Sequence, residues 1–522
     1  MHDFACPCIC FAAGLVHDAG IGYFWLSWAV ATRADGTCGN GEKLLLCCVR
    51  EGSREPLCMA AYHATPRLST HAFLTAPFMN TGARSHWMRQ IEVAIIGAGP
   101  AGLTLAAALS KRGGYSISVF EEAADHNVVP EFDANRSYTI DITGHGAKAV
   151  AYIGATDVFE NTMIPFTGVS VLGGAPVRVS GRAWTGSRGT ICRTLQQFLV
   201  DQDTRREVCC HFLTRAEITD FERGEVTLTS AAGQGTASVR TFDLVVGADG
   251  GGSAMRRAME QRCGCAVRSV DLDNLSLMLH FDAVDAEAHL DPTILYVMNA
   301  SPLCVAGAIN GRAGAGDPLW FCQVGFKGKA TAAKISSMSL PQLKRFIGSR
   351  QVLRHCSDKE LWAFQQRKPQ ATGKGKVCGT WVAGKCVLLG DAAAPFPPIG
   401  QGVNAAMEGA VVLDRILAQH AYLQSEGIEH ATAAFCAEWK KETDALTAIT
   451  VRLDVLSLGP LGIARQFVLQ WLGKDALSNT KNGDMLYSVA SAIDHDATKA
   501  INALAVGMAM SVGALTCWLV CA

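Results

Sequence analysis

The chain has 522 residues, and its 46 Lys and Arg against 47 Asp and Glu give a formal net charge of −1. This balance excludes the basic surface that a nucleic-acid-binding protein needs, and the length suffices for one large core or two domains. The 20 cysteines show no paired Cys-x-x-Cys spacing with later histidines, so they predict free thiols in a reducing compartment, without a metal site or a disulfide framework.

Residues 1–90 are predicted to be an N-terminal extension outside the main fold. From residue 56 to residue 90 there is no acidic side chain, and arginines are interleaved with Ser, Thr and Ala. That composition is typical of a transit segment for an organelle such as the mitochondrion or plastid. The alternative is that translation begins at Met59 or Met88 and that the upstream residues are not natural coding sequence.

Residues 91–121 predict a strand, a glycine-rich turn, a helix and a second strand. The turn has the Gly-x-Gly-x-x-Gly spacing, which permits a tight turn, close approach of a pyrophosphate and close packing of the helix on the sheet. An acid at the end of the second strand is placed to accept ribose hydroxyls. The predicted contacts to a dinucleotide are Gly97, Gly99, Ala101, Gly102 and Glu121.

Two later stretches separate FAD from NAD. Residues 243–257 read DLVVGADGGGSAMRR and residues 386–404 read CVLLGDAAAPFPPIGQGVN, each an apolar strand followed by a glycine-rich turn. With these three motifs in order, the chain resembles the class A flavoprotein monooxygenases, the p-hydroxybenzoate hydroxylase-like family, and especially its kynurenine 3-monooxygenase-like group. The resemblance implies FAD as the cofactor and NAD(P)H as the co-substrate.

The resemblance implies an α/β fold with a Rossmann-type FAD-binding domain made of residues 91–260 and 377–424. Between them, residues 261–376 contain short apolar runs with β alternation, which predict a mostly antiparallel substrate domain. Residues 425–499 form a predicted C-terminal helical region, with a helix at 431–458 followed by polar and irregular sequence.

Further cofactor-binding residues follow from the resemblance. Asp391 is expected to bind a ribityl hydroxyl, and the backbone of residues 400–404 is expected to line the isoalloxazine ring at a helix N-terminus. An arginine at the start of a helix near the pyrophosphate is matched by Arg193, with Arg188 as the alternative. The complete set is Arg136, Arg193, Asp249, Gly250, Asp391, Pro398, Gly400, Gln401, Gly402, Val403 and Asn404. No catalytic side chain is identified.

Two departures from the family pattern lie near the expected ring, and a third concerns the substrate site. Ala394 stands where the family usually has a histidine, and the loop from Gly390 to Gly402 is one residue shorter than the kynurenine 3-monooxygenase pattern. Residues 166–169, after Met-Ile-Pro, lack the arginine that the group uses for the substrate carboxylate. Arg178 or Arg182 is the candidate substitute.

The resemblance implies an enzyme that uses NAD(P)H and O2 to hydroxylate a small, aromatic substrate through a flavin hydroperoxide. Two alternatives stay open. One is a FAD-dependent reductase or other flavin oxidoreductase; the absence of Trp-x-Trp-x-Ile-Pro counts against a flavin halogenase. The other is a non-catalytic flavin-binding membrane protein, which the change at Ala394 motivates.

Residues 500–522 contain no charged side chain. As a helix they reach roughly 34 Å, enough to cross a bilayer core. They are therefore predicted to be a membrane anchor, with the protein on a membrane and facing a reducing compartment. The alternative is a buried terminal helix.

Overall fold

The structure is a computed structural model of the chain. It describes residues 9–18, 21–30, 43–50, 59–63, 90–129, 133–135, 137–233, 236–281, 289–309, 319–420 and 424–521. Within these ranges only the backbone is described for residues 9–63, 424–426, 460 and 505–521. The chain divides into two compact units, Met1–Met88 and Arg89–Ala522.

The N-terminal unit contains a four-stranded antiparallel sheet in the order β1-β2-β3-β4. The strands are β1 (Ile9–Asp18), β2 (Ile21–Val30), β3 (Lys43–Arg50) and β4 (Met59–His63). Register pairs such as Ile9 with Val30 and Ile21 with Arg50 define a simple meander. No sheet is predicted here from the sequence, and most of the predicted transit segment, residues 64–89, lies outside the described residues.

The second unit alternates strands and helices. Its strands are β5 (Ile91–Ile96), β6 (Tyr115–Phe120), β7 (Ile140–Ile142), β8 (Ile164–Pro165), β9 (Gly168–Val171), β10 (Val177–Arg178), β11 (Trp184–Gly186), β12 (Val208–His211), β13 (Thr214–Asp220), β14 (Glu225–Ser230), β15 (Ser238–Thr241), β16 (Leu244–Gly247), β17 (Val267–Asp271), β18 (Asn274–His280), β19 (Ile294–Ala300), β20 (Leu303–Ile309), β21 (Leu319–Lys327), β22 (Gln370–Ala371), β23 (Lys374–Cys378), β24 (Val382–Ala383) and β25 (Cys386–Leu388). Its helices are α1 (Pro100–Arg112), α2 (Gly144–Ile153), α3 (Thr156–Thr162), α4 (Arg188–Gln202), α5 (Ala254–Cys263), α6 (Lys329–Ser337), α7 (Leu340–Ile347), α8 (Arg350–Arg354), α9 (Asp358–Gln366), α10 (Gly402–His420), α11 (Gln424–Arg452), α12 (Pro460–Trp471), α13 (Ala476–Asn479) and α14 (Tyr487–Cys521).

A six-stranded sheet, in the order β12-β6-β5-β16-β25-β24, carries the predicted nucleotide-binding motif. Its first five strands are parallel, and β24 adds an antiparallel edge. The last four residues of β5 are at most 7% exposed, as expected for a parallel strand covered by helices on both faces. This sheet confirms the predicted Rossmann-type α/β fold.

A buried carboxylate fixes the helices that cover this sheet. Asp414 on α10 accepts hydrogen bonds from Arg112 Nε at 2.8 Å and Nη2 at 2.6 Å, at the end of α1. The hydroxyl of Tyr152, on α2, donates to the same carboxylate at 2.6 Å. Burial and this hydrogen bond raise the pKa of Tyr152 to about 12. Three helices are thereby joined at one point.

The second large sheet has seven strands in the order β10-β9-β19-β20-β21-β18-β22. Its pairs are antiparallel except β9 with β19, so the predicted mostly antiparallel sheet is confirmed. Strands β9 and β10 form an antiparallel hairpin that joins this sheet. One face packs against α7 and α9, where Leu343 and Phe364 are fully buried.

The C-terminal region is more helical than predicted. The expectation of irregular sequence at residues 459–499 is wrong, because α12, α13 and the start of α14 lie there. Local capping explains the helices: Pro460 occupies the first turn of α12, and the Asp475 side chain accepts from Ser478 N at 2.8 Å at the start of α13. Tyr487 then anchors α14, since it is fully buried.

The predicted anchor lies in the second half of α14. Among the described residues, no helix is long and apolar enough to cross a membrane, so the transmembrane prediction is not supported. The described side chains of α14 include Asp494, Asp496 and Lys499, and Asp494 is buried against Arg452 at 3.0 Å. The side chains of residues 505–521 lie outside the described residues.

Candidate cofactor site

Two glycines of the first motif are required by protein packing. Gly97 has φ of +111°, and a Cβ there would lie 2.4 Å from the carbonyl oxygen of Ala248. A Cβ on Gly102 would lie 2.1 Å from the carbonyl oxygen of Gly97. The first supplies the tight turn after β5, and the second lets α1 pack close to that turn, as predicted.

Gly99 differs, because the protein leaves room beside it. A Cβ on Gly99 would meet only Arg188 Nη2, at 3.5 Å. Gly99 is the N-cap of α1 and no side chain caps this helix, whose first turn also lacks acidic residues. A helix N-terminus with unpaired N–H groups and open space fits a pyrophosphate. The residues present therefore fit the phosphates of FAD.

Glu121 lies beside this turn at the end of β6. Its Oε2 accepts from the backbone N–H of Ala98 at 2.9 Å, and its Oε1 accepts from Ala123 N at 2.9 Å. Each carboxylate oxygen keeps a further lone pair for a ribose hydroxyl. Glu121 thus both fixes the glycine turn and fits its predicted role.

The geometry favours Arg188 over Arg193 as the arginine near the cofactor. Arg193 donates from Nε to the carbonyl of His126 at 3.0 Å and from Nη2 to Val129 at 2.9 Å, so it fixes the loop after β6. Arg188, at the start of α4, extends towards Gly99. The third predicted arginine, at position 136, lies outside the described residues.

Asp249 follows β16 and caps α5. Its Oδ2 accepts from the N–H groups of Ala254 at 2.6 Å and Met255 at 3.2 Å, while its buried Oδ1 has no hydrogen-bond partner among the described atoms. Gly250, with φ of +74°, makes the turn between Asp249 and the start of α5. The Asp249 carboxylate therefore contacts the protein backbone, and its predicted contact with FAD stays a prediction.

Asp391 lies in the 3₁₀ turn Gly390–Ala392 that follows β25. Its side chain is reached by solvent although protein surrounds it, as expected in a cleft. Burial raises the pKa of Asp391 above its usual value, and the charges of Arg188 and Arg256 oppose this. Burial also raises the pKa of Tyr138, and the Asp391 carboxylate adds to that effect. Asp391, Arg188 and Tyr138 thus lie close enough to interact.

The loop before α10 is fixed by Asn404, which is 1% exposed. Asn404 Oδ1 accepts from Thr143 N at 2.9 Å, and Nδ2 donates to the carbonyls of Asp141 at 2.9 Å and Gly400 at 3.1 Å. Its side chain is committed to the protein, so a cofactor contact at this position comes from the backbone. Gly400 takes φ of +76°, which favours glycine.

Gln401 points away from the cleft. Its side chain is fully buried, and its Oε1 accepts from the hydroxyl of Tyr487 at 3.4 Å. Gly402, by contrast, has open space where a Cβ would be. Pro398 is exposed and Val403 half-buried. Backbone groups of this loop therefore remain the predicted contacts to the ring.

Two of the three departures from the family pattern can be located in the structure. Ala394 is 5% exposed and donates its N–H to the carbonyl of Gly390 at 3.0 Å, so an apolar methyl replaces a titratable ring. Arg178 donates to Thr167 Oγ1 at 3.1 Å, and Arg182 pairs with Glu160 at 3.1 Å; both are exposed. A lysine from the C-terminal region, Lys481, lies 5.3 Å from the Phe166 ring centroid.

Sequence reasoning missed the role of Arg256. Its side chain is 4% exposed and donates from Nη1 to the carbonyls of Asp391 at 3.1 Å and Ala392 at 2.7 Å. It therefore joins the second motif to the third. The motif GADGGGSAMRR contains this arginine, but its partner lies 135 residues further along the chain.

A family model described as an FAD binding domain matches residues 90–429, well over half of the chain. The chain belongs to this family. The predicted family resemblance, fold class and FAD dependence are confirmed, and the protein is a FAD-dependent oxidoreductase.

Two curated relatives are named kynurenine 3-monooxygenase. Kynurenine 3-monooxygenase of Stenotrophomonas maltophilia (strain K279a) is 27% identical over 377 residues, covering 68% of this chain and 77% of that protein. Kynurenine 3-monooxygenase of the yeast Debaryomyces hansenii is 23% identical over 456 residues, covering 80% of this chain and 93% of that protein.

Solved structures share the fold. One is 2-methyl-3-hydroxypyridine-5-carboxylic acid oxygenase in its tetrameric form, 19% identical with a TM-score of 0.54, over 72% of this chain and 94% of that chain. Another is PqsL, a probable FAD-dependent monooxygenase of Pseudomonas aeruginosa, 22% identical with a TM-score of 0.51, over 70% and 97%.

Proposed function

We propose that the protein is a monooxygenase that uses NAD(P)H, FAD and O2 to hydroxylate a small, aromatic substrate. One observation carries the proposal: the three motifs follow the carboxyl ends of β5, β16 and β25, which are adjacent parallel strands. Ligands of open α/β sheets bind at this edge. The position of Gly99, Asp249 and Asp391 at this edge supports a flavin nucleotide bound there.

Different residues are expected to bind different parts of FAD. The N-terminus of α1 and Gly99 receive the pyrophosphate, with Arg188 beside them. Glu121 accepts ribose hydroxyls, and Asp391 accepts a ribityl hydroxyl. The loop before α10 presents backbone N–H groups and a positive helix end to the ring. When bound, FAD supplies the redox chemistry with O2, which no side chain of a protein provides.

The substrate class rests on the names of similar proteins. Kynurenine and a hydroxypyridine carboxylic acid, which those names contain, are small aromatic compounds. The decisive experiment is a screen of aromatic compounds against purified full-length protein, following NADPH loss and product mass. A compound that accelerates NADPH loss and gains one oxygen supports the proposal, and loss without an oxygenated product contradicts it.

Ala394 favours a second candidate, a FAD-dependent reductase or other flavin oxidoreductase. A buried methyl group stands where the resemblance leads one to expect a histidine, and the loop to Gly402 is one residue shorter. Those changes alter the ring's surroundings more than the phosphate site. A reduced product that retains its oxygen count would identify the reductase. FAD binding without turnover of NADPH would instead identify a flavin-binding protein.

Membrane association is a separate proposal, and it rests on the sequence of residues 500–522 alone. These residues are uncharged, and their backbone up to residue 521 is helical. An uncharged helix of this length partitions into a bilayer if it is not packed against protein. Fractionation of full-length protein with and without detergent tests this proposal.

A further inference from the structure

A short segment that follows α13 and ends in the first turn of α14 packs against the loops of the cofactor site. We call residues 481–488 the C-terminal strap. Its backbone approaches Gly144, where a Cβ would lie 2.3 Å from the carbonyl oxygen of Lys481 and 2.5 Å from Gly483 N. His145 Nε2 lies 3.0 Å from the Met485 carbonyl oxygen, and Tyr487 Oη donates to Gln401 Oε1. The strap thus contacts both the start of α2 and the loop before α10.

One ion pair of the strap lies beside that loop. Lys481 Nζ is 2.6 Å from Asp141 Oδ2, and their side chains are only 20% and 7% exposed. The position of a Cβ on Gly400 lies 3.5 Å from Asp141 Oδ1 and 3.9 Å from Lys481 Nζ. Both charges therefore lie close to the residue whose backbone is expected to line the isoalloxazine ring.

We propose that Lys481 is a positioning residue that neutralises Asp141 next to the FAD ring, and so keeps that carboxylate from opposing flavin reduction. The inference rests on the proposed cofactor geometry and extends it to a residue outside the three motifs. Reduced FAD carries more negative charge than oxidised FAD. An unbalanced carboxylate nearby disfavours reduction, and an unbalanced ammonium favours it, because partly buried charges are weakly screened.

The test is the reduction potential of FAD bound to full-length variants, together with sulfite affinity, since the sulfite adduct also adds negative charge to the ring. Lys481→Met should lower the reduction potential of bound FAD by about 30 mV. For a two-electron couple, this raises the ratio of oxidised to reduced flavin about tenfold at a given solution potential. Sulfite should bind about tenfold more weakly. Asp141→Asn should shift both quantities in the opposite direction, and the double variant should return close to wild type.

The matched control is Lys148→Met. Lys148 pairs with Asp484 of the same strap at 2.7 Å, but both side chains are exposed, at 55% and 71%. This variant should leave the potential and sulfite affinity unchanged. Lys481→Arg, which keeps the charge, should behave as wild type.

If Lys481→Met and Asp141→Asn shift the reduction potential in the same direction, or leave it unchanged, the inference is overturned. The ion pair then has only a structural role. If Lys481→Met loses FAD, the opposite shift of Asp141→Asn remains the deciding measurement. If the wild-type protein binds no FAD, the proposed cofactor site is overturned as well. If it binds FAD normally but the variants keep the wild-type reduction potential, only this inference is overturned.

Discussion

At the scale of single residues, the three glycines of the first motif serve different purposes. Packing of the protein backbone requires glycine at positions 97 and 102, since a Cβ at either would lie within 2.4 Å of backbone atoms. Protein packing does not require glycine at position 99, because a Cβ there would meet only the end of the flexible Arg188 side chain. We propose that the pyrophosphate of FAD is the partner that requires glycine at that position.

Replacing Gly99 by valine should abolish FAD retention while the protein stays folded. The branched side chain would occupy the space of the pyrophosphate, and flavin absorbance after gel filtration measures the loss. Gly459→Val is the matched control, because Gly459 has a negative φ of −76° and open space around it. A folded Gly99→Val protein with full flavin content would contradict the assignment.

Replacing Asp391 by alanine should weaken FAD binding roughly ten- to a hundred-fold, since a charge-assisted hydrogen bond contributes about 1.5–3 kcal/mol. Titration of FAD into the apoprotein, following NADPH oxidation, measures the effect. Saturating FAD should restore much of the turnover. Normal FAD affinity with a turnover deficit that FAD cannot repair would instead assign Asp391 a proton-transfer role.

The pH dependence of FAD affinity gives a second readout for the same residue. Burial raises the pKa of Asp391, so its ionised, hydrogen-bond-accepting form is lost at a higher pH than in an ordinary aspartate. Wild-type affinity should therefore weaken as the pH falls through that raised pKa. Asp391→Ala should lack this component, and an identical pH profile in both proteins would argue against an ionised Asp391.

At the scale of elements, Asp414 joins α10 to α1 and α2. Its carboxylate is fully buried, whereas its partner Arg112 is 33% exposed and can be hydrated when left alone. Asp414→Ala should lower the free energy of unfolding by about 2 kcal/mol, less than the roughly 3–5 kcal/mol typical of a broken, fully buried pair. Urea denaturation of the flavin-loaded protein measures this, with the exposed pair variant Lys148→Met as the control. A loss below about 0.5 kcal/mol would show that the pair is unimportant for helix packing.

The sequence predicts the positions of helices and strands better than it predicts which side chains contact each other. The glycine spacing locates β5, α1 and β6 because each step of that motif is local. The side chains of Arg193 and Gln401 contact His126 and Tyr487, which lie far away in sequence, so no local pattern identifies these partners. The helices after residue 459 were not predicted, although Pro460 and Asp475 mark helix starts, because the burial of Tyr487 that anchors α14 depends on residues far away in sequence.

At the scale of the whole molecule, the C-terminal region has two parts with different expected roles. The strap contacts the cofactor loop through Lys481 and Tyr487, and α14 begins there. Residues 500–522 follow those contacts in sequence. Removing them should therefore release the protein from membranes and leave FAD content unchanged.

Fractionation of full-length and truncated protein, with flavin absorbance, checks both parts of this prediction. Full-length protein that stays in the soluble fraction without detergent would show that the anchor prediction is wrong. A truncated protein that loses FAD would show that the last helix supports the cofactor site beyond the strap.

We propose that this FAD-dependent oxidoreductase transfers oxygen to its substrate, and the fate of O2 decides whether it does. Purified full-length protein would be supplied with NADPH and an aromatic compound that accelerates NADPH loss, under isotopically heavy O2, and the product mass measured. One heavy oxygen atom is expected in the product for each NADPH used productively. A product without heavy oxygen, formed while NADPH is consumed, would contradict it.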